Sequence, residues 1–221
     1  MSTTCATPIK AQVARFTRVD ECGVPVIGAL SAQVSTDSFT QIENAPNYEE
    51  GQRYLLRKAN GEPCVNQRDA GFFNWIESTI TLCTLDPDLI AMVTGEDVIS
   101  DSDNNRGTTL GEGLLVSRHS LEVWQPMAGE GACDPSGQQL YVYWAFPNFG
   151  DAQIQNFTFQ NDSFTLAYRA TSRRASALWD IGDAYLADNP TATWTSGRHA
   201  AWAITSVTPP VATCGAHLVT S

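Results

Sequence analysis

The sequence predicts a mainly β protein: two packed β-sheets with one short flanking α-helix near residues 86–94. Three observations support this fold class: a two-residue period in Asn74–Cys83, the turn pair Asn60-Gly61, and a single helical segment with clear start and stop signals. A two-residue period is typical of a strand with one buried face. Asn-Gly favours the left-handed backbone of a tight hairpin turn.

Two strands show contrasting patterns. In Asn74–Cys83 the apolar residues Ile76, Ile80 and Leu82 fall on one face, and polar residues fall on the other. We therefore expect one buried face. In Gln138–Phe146 both faces are apolar. A strand of that kind is covered on both sides, and we expect its second cover to be the helix or another subunit.

The helix is predicted from its ends. Asp86 can accept hydrogen bonds from the first-turn amides, Pro87 suits the first helical position, and Gly95 suits the residue after the end. The segment spans only about two turns, and a helix this short is not stable alone. We therefore expect it to pack on a sheet.

Further strands are predicted from weaker patterns. They cover Ala11–Phe16, Val34–Ile42, Arg53–Lys58, Leu114–Trp124, Gln138–Phe146, Gln153–Phe159, Phe164–Ala170 and Arg198–Val207. We expect a single domain over residues 1–221, with an N-terminal arm at 1–15, a long loop at 96–113 and a C-terminal tail at 208–221. Asn44–Gly51 is predicted to be a second loop, and Ala177–Pro190 a loop or broken helix.

The charge of the chain is negative throughout. The net charge is −11, with −7 in residues 1–110 (15 acidic, 8 basic) and −4 in residues 111–221 (9 acidic, 5 basic). Nucleic-acid binders concentrate basic side chains on one surface, and this chain has no such concentration. The sequence contains no run of 18 consecutive apolar residues, so no membrane span is predicted.

No motif predicts catalysis, a cofactor or a metal. The histidines His119, His199 and His217 have no nucleophile elbow, metalloprotease motif or phosphate loop near them. The acidic run at 101–107 suggests calcium, but its glycine falls at the seventh position instead of the sixth, so a polar loop is favoured. The six cysteines lack zinc spacing and no secretory signal is visible. We expect them to be mostly buried free thiols.

An ordered set of segments resembles the major tail tube proteins of long-tailed phages that infect actinobacteria. The segments are Val34–Phe39, Lys58–Glu62, Cys64–Asn66, Asp86–Leu89, Thr94-Gly95, Glu122–Trp124, Tyr141–Pro147, Pro209-Pro210 and Cys214–Ala216. Together they cover most of the chain. Arg173–Asp188 departs from what the resemblance implies.

The resemblance implies a structural virion protein without catalysis or cofactor. It implies two packed sheets with a flanking helix, and hexameric rings that stack helically into a tube through which DNA is ejected. The implied partners are other copies of the chain and the tail tip, tape measure and tail terminator proteins. DNA would pass through the lumen without tight binding, and the protein would be assembled in the host cytoplasm and located in the virion tail.

Ring stacking would use loops and arms that become ordered on contact. The candidate inter-ring residues come from the two predicted loops: Asn44, Pro46, Tyr48, Glu49, Glu50, Asp101 and Asp103. Acidic side chains on the lumen wall would repel DNA and let it slide. One alternative is a phage decoration or adhesion β-domain that binds host carbohydrate through its aromatic residues. Another is a β-sandwich hydrolase with His119 or His199 as base.

Overall fold

The computed structural model describes residues 7–27, 33–102, 104–111, 117–129, 131–159, 161, 164–177, 179 and 197–217. These residues form mostly strands, with one helix among them. The elements are β1 (Val13–Arg18), β2 (Gln33–Thr36), β3 (Phe39–Glu49), β4 (Arg53–Arg57), β5 (Pro63–Arg68), β6 (Phe72–Leu82), α1 (Pro87–Thr94), β7 (Val98–Ser100), β8 (Asn105–Thr108), β9 (His119–Pro126), β10 (Tyr141–Phe159), β11 (Phe164–Ser172) and β12 (Ala201–Thr205).

One antiparallel sheet contains eight of these strands, in the order β2-β1-β9-β10-β11-β6-β3, with β12 also paired to β10. Strand β10 belongs to two halves of this sheet. Its first part, Tyr141–Ala145, lies between β9 and β12, whereas its second part, Phe149–Phe159, pairs with β11. The predicted fold class is confirmed, and the two predicted sheets are halves joined by β10.

The main core draws on both halves and on the helix. Phe16 and Leu121 come from the first half, Ile80 and Leu82 from the second, and Leu89 from α1, and all of them are buried. Apolar burial on this scale is the main driving force for folding. The two halves therefore pack as layers, with α1 against them.

The length of β10 differs from the prediction. Gln138–Phe146 and Gln153–Phe159 were expected to be separate strands, and Pro147 and Gly150 lie between them. The chain instead bends there without leaving the sheet, with register shifts at residues 146–149 and 150–153. Bulges of this kind bend a strand and re-aim its side chains, and here they carry β10 from one layer to the other.

At Val34–Ile42 the error is the reverse, because one strand was predicted and the structure has two. It is divided into β2 and β3 at Asp37 and Ser38, where the Ser38 amide donates a hydrogen bond to the Thr36 hydroxyl over 3.0 Å. The two pieces belong to different halves of the sheet. The local turn therefore marks a crossing between layers.

The helix confirms its predicted ends. The Asp86 carboxylate accepts hydrogen bonds from the amides of Asp88 (3.0 Å) and Leu89 (3.3 Å). Gly95 follows the last turn with φ of 80°, a left-handed conformation that glycine adopts at low cost. In β6 the predicted alternation is also confirmed, since Ile76, Ser78, Ile80 and Leu82 are buried.

Both faces of the first part of β10 are covered, as predicted, but the second cover comes from the same chain. Phe146 joins the main core. Tyr143 and Ala145, on the other face, join a second cluster with Trp124 and Trp179. The segment after β11 therefore covers the face that was expected to meet the helix or another subunit.

The terminal segments are bound to the sheet where they are described. In the predicted N-terminal arm, the amides of Ile9 and Gln12 donate to carbonyls of β9, and β1 begins at Val13. In the predicted tail, Thr213 and His217 hydrogen-bond to the backbone of β2. Residues 1–6 and 218–221 lie outside the described residues, as does most of Ala177–Pro190.

The cysteine prediction was half wrong. The five described cysteines, Cys22, Cys64, Cys83, Cys133 and Cys214, are free thiols but all are exposed. They lie in turns, at the ends of strands and in a projecting hairpin, away from either core. Cys5 lies outside the described residues.

Candidate assembly surface

A long hairpin projects from the sandwich. Strands β3 and β6 remain paired out to Glu49 and Phe72, and β4 and β5 continue the hairpin to a turn at Lys58–Glu62. The turn places Gly61 at φ of 86°, as the Asn-Gly pair predicts. Every residue from 52 to 73 is exposed. We call residues 47–75 the arm.

The loop predicted at Asn44–Gly51 was wrong, because Asn44–Glu49 belongs to β3. Its turn-forming residues are accommodated because β3 is the edge strand of the sheet. Proline lacks an amide donor and is tolerated at such an edge, so Pro46 can pair with Ile76. The Asn44 side chain accepts a hydrogen bond of 2.6 Å from the Ser78 hydroxyl.

The two faces of β4 and β5 differ in character. Leu56 lies opposite Val65 in the register, and Tyr54 shares their face because side chains alternate along a strand. All three apolar side chains are exposed, Leu56 by 63 %. The other face carries Arg53 and Leu55. The arm thus presents an apolar face that no described part of its own chain covers.

The base of the arm is fixed by an aromatic contact. The rings of Tyr48 and Phe73 meet edge to face at 5.7 Å, and Phe73 meets His199 at 4.9 Å. The His199 Nδ1 lies 2.8 Å from the Ser172 hydroxyl oxygen, which accepts a 2.7 Å hydrogen bond from the Ile76 amide. These contacts anchor the arm to β11 while its outer part stays free of the sandwich.

A second surface is an apolar groove. Its lining residues come from the segment after β6, from α1, from β8 and the residues that follow it, from the end of β10 and from the start of β11: Leu85, Pro87, Ile90, Arg106, Gly107, Thr108, Leu110, Ile154, Phe157, Phe159, Phe164 and Leu166. The cavity has a volume of about 350 Å³. Phe159 is 78 % exposed, which is unusual for a large aromatic side chain inside a cluster of three phenylalanines. We call this surface the groove.

A cavity of about 420 Å³ adjoins the groove and shares Leu110, Ile154 and Phe157 with it. One wall of both cavities is the segment from α1 to the β7–β8 hairpin. Residues 96–113 of that segment were predicted to be a loop, which was wrong in part, because β7 and β8 pair there through Val98 and Thr108. Residues 103 and 112–113 lie outside the described residues.

The predicted inter-ring residues fall at two separate places. Tyr48, Glu49 and Glu50 lie at the base of the arm, with Glu50 ion-paired to Arg68, and Asn44 and Pro46 lie just below it in β3. Asp101 lies beside the groove, where it forms an ion pair with Arg106. Asp103 lies outside the described residues. The structure therefore brings the first five residues together and separates them from Asp101.

Sequence reasoning did not identify the residues that make these two surfaces apolar. For the arm these are Tyr54, Leu56 and Val65; a strand was predicted at Arg53–Lys58, but the exposure of its apolar residues was not. For the groove they include Phe157 and Phe159, which have exposed aromatic side chains. They alternate with polar residues in a strand pattern that does not show which face is buried.

His119 and His199 both lie in surroundings that are typical of structural residues. His119 is buried among Phe16, Phe149 and Tyr168, at ring distances of 5.7–6.1 Å, and burial lowers its pKa to about 3. The pKa of His199 is also lowered, mainly by partial burial. Within the described ranges, no three His, Cys, Asp or Glu side chains are grouped as metal ligands. No helix found there is long and apolar enough to cross a membrane.

No protein-family model matches this sequence, and no curated protein is significantly similar to it.

Proposed function

We propose that this chain is a structural subunit that assembles into stacked rings, forming the tail tube of a long-tailed phage that infects actinobacteria. In this role the tube is the conduit for DNA ejection, and the chain works without catalysis or cofactor. Its partners are its own copies, with tail tip, tape measure and terminator proteins at the tube ends. Assembly would take place in the host cytoplasm, and the finished protein would reside in the virion tail.

The observation that carries the proposal is the uncovered arm. A two-stranded hairpin is at best marginally stable in water unless something packs on it. Here the arm exposes Tyr54, Leu56 and Val65 on one face. An exposed apolar patch of this kind marks an interaction site. A projecting, apolar hairpin on an otherwise well-packed domain is suited to contact a neighbouring copy.

Two strand edges suit lateral closure of a ring. Among the described strands, none pairs with the outer edge of β3 or of β12. Unpaired edges are templates for pairing with another chain. In the proposed ring, neighbouring subunits cover these edges. Closed rotational symmetry would then leave no subunit edge exposed.

The acidity of the chain supports the proposed conduit. A DNA duplex carries about one negative charge per 1.7 Å, and basic side chains bind it by releasing counterions. A basic bore would hold DNA as it passed. A chain of net charge −11 can instead line a bore that repels DNA and lets it slide.

The test compares the wild-type chain with a variant that lacks the outer arm. The Asp69 amide donates to the Gln52 carbonyl over 2.9 Å, so these two residues face each other and residues 53–68 can be replaced by a two-residue Asn-Gly turn. We expect rings and tubes of the wild type in negative-stain electron microscopy of concentrated protein. The shortened variant should form no tubes, and nothing larger than a single ring by light scattering, because its lateral strand edges are intact. Its thermal melting should match the wild type because the removed residues are exposed.

Tubes formed equally well by the shortened variant would contradict the role of the arm. A wild-type protein that stays monomeric at every concentration and binds glycans would favour the alternative of a carbohydrate-binding adhesion domain. The exposed aromatic side chains Phe72, Trp75 and Trp202 would then be the first residues to substitute.

A further inference from the structure

We infer that a cleft between the two layers of the sheet binds an uncharged oligosaccharide. The cleft has a volume of about 670 Å³, and we call it the interlayer cleft. It is distinct from the arm and from the groove, and its role does not depend on the proposed assembly. Three features of the described residues carry the inference: the position of the cleft, a row of aromatic rings along one wall, and the amide side chains that line it.

The interlayer cleft lies between the two halves of the sheet. Trp144 of β10 lines it from the first half, whereas Ile42 of β3 and Ile76 of β6 line it from the second. Strand β3 is the edge of its half, and the lining residues Gln41 and Asn44 of this strand are exposed. The cleft is therefore open to solvent along β3. A cavity of this size, with a mostly apolar lining and a few polar groups, is the usual form of a small-molecule site.

One wall carries a row of three aromatic rings. Phe146, Trp144 and Trp202 follow one another at centroid distances of 6.4 and 6.1 Å, with ring planes 15° and 35° apart. The row begins in the core, where Phe146 is 3 % exposed, and ends at the surface, where Trp202 is 55 % exposed. Trp202 pairs with Trp144 in the register of β10 and β12, so it extends the row beyond the lining residues. Because the C–H faces of sugar rings are apolar, such flat aromatic surfaces are suited to stack on them.

Amide side chains supply the polar contacts that sugar hydroxyls need. Gln41, Asn44 and Gln125 line the cleft, and each amide has a donor end and an acceptor end, as a hydroxyl does. The Gln125 oxygen accepts a 3.2 Å hydrogen bond from the Trp144 indole nitrogen, which orients the ring and leaves the Gln125 amide nitrogen to donate to a ligand. The Asn44 oxygen accepts a hydrogen bond from the Ser78 hydroxyl, so the Asn44 nitrogen is the end that can donate to a ligand.

The charge of the lining favours a neutral ligand that is bound and not cleaved. Among the described lining residues Lys10 is the one charged side chain. Hydrolysis of a glycosidic bond requires a pair of carboxyl groups beside it, and these lining residues provide none. A single cation on a chain of net charge −11 gives little attraction for an anionic polymer. The cleft therefore suits an uncharged glycan, held by stacking and hydrogen bonds.

The experiment measures binding of short oligosaccharides to the full chain by isothermal titration calorimetry. The uncharged probes are linear trisaccharides of glucose, of mannose and of N-acetylglucosamine. Trigalacturonic acid, which carries carboxylates, is the charged probe. At least one uncharged probe should bind with a millimolar or lower dissociation constant, and the acid should bind about ten-fold more weakly or worse.

Three variants locate the site. Trp202→Ala shortens the aromatic row and Gln41→Ala removes one amide, and both side chains are exposed, so both variants should fold. Trp75→Ala is the matched control: Trp75 is also exposed, but it precedes Ile76 on a strand whose side chains alternate, so it points away from the cleft. Trp202→Ala should weaken binding about ten-fold and Gln41→Ala about three-fold, whereas Trp75→Ala should leave it unchanged. Circular dichroism melting checks that each variant is folded.

The other outcomes overturn the inference. If no uncharged probe binds, the interlayer cleft is not a glycan site. If Trp75→Ala weakens binding as much as Trp202→Ala, or if neither does, the sugar lies elsewhere on the surface. If the acidic trisaccharide binds best, the ligand class is wrong.

Electron microscopy of the same wild-type samples tests the proposed function separately. Rings and tubes without glycan binding would overturn the inference alone. Glycan binding by a chain that never assembles would contradict the proposed function alone.

Discussion

Acidification should destabilise this fold through a single histidine. His119 lies fully buried in β9, and neither of its ring nitrogens has a hydrogen-bond partner among the described residues. Its neighbours are the rings of Phe16, Phe149 and Tyr168. An imidazolium in this environment would lose its hydration without compensation. The pKa of His119 is accordingly lowered from 6.5 to about 3.

The sign and size of the effect follow from proton linkage. The unfolded chain protonates His119 as the pH falls through 6.5, whereas the folded chain keeps it neutral down to about 3. Below pH 6.5 the unfolded state therefore binds more protons, and folding stability falls with pH. One pKa unit corresponds to about 1.4 kcal/mol, so the loss attributable to His119 is about 2 kcal/mol at pH 5 and about 3 kcal/mol at pH 4.

Urea unfolding of the wild type and of His119→Phe measures this contribution. The phenylalanine keeps an aromatic ring among the other rings and removes the titrating group. The difference in unfolding free energy between the two proteins should shift by about 2 kcal/mol in favour of the variant when the pH is lowered from 7.5 to 5. Other titrating groups cancel in this difference. Parallel pH dependences of the two proteins would refute the reasoning, whatever their absolute stabilities.

Three further predictions follow. Glu122→Gln should lower the unfolding free energy by about 3–5 kcal/mol in urea, because Glu122 is buried and bonded twice to Arg15, at 2.6 and 2.7 Å, and to Tyr143. Asp86→Ala should lower the unfolding free energy by about 1–2 kcal/mol, because the helix loses its cap. It should also speed hydrogen exchange of the Gly215 amide, which donates a hydrogen bond of 2.8 Å to the Asp86 carboxylate. Arg57→Glu should slow association several-fold at low salt and little at high salt, measured by light-scattering kinetics, because residues 53–68 of the arm carry a net charge of +3 on a chain of net charge −11.

Each of these predictions has a contradicting result. A Glu122→Gln variant as stable as the wild type would show that the buried ion pair is compensated elsewhere. Unchanged exchange at Gly215 would separate the C-terminal segment from the helix cap. An association rate for Arg57→Glu equal to that of the wild type at low salt would show that the basic arm does not steer neighbouring copies together.

Local signals explain the elements that were predicted correctly. The alternation in β6 and the caps of α1 depend on residues close in sequence, and a strand with one buried face or a helix with a capping aspartate carries its own pattern. The turn at Asn60-Gly61 is of the same kind. These elements needed no knowledge of the rest of the chain.

The errors arose where tertiary pairing overrides the local pattern. Asn44–Glu49 contains turn-forming residues, yet pairing with β6 holds it in an edge strand. The bend in β10 resembles a break because the bulged residues include proline and glycine. The groove could not be predicted, because its lining residues come from four separate segments of the chain. The assembly implied by the resemblance stays a prediction.

Strand β10, which belongs to both halves of the sheet, also affects how a subunit would resist a pulling force. If tension is applied along a stack through the arms, it enters each subunit through β3 and β6 and passes by the ladder of β11 into β10. Those strands would lie along the pulling direction, so their interstrand hydrogen bonds would be loaded in shear and would have to rupture together. Because β10 continues unbroken from one half into the other, the two layers cannot be drawn apart without extending a covalent backbone.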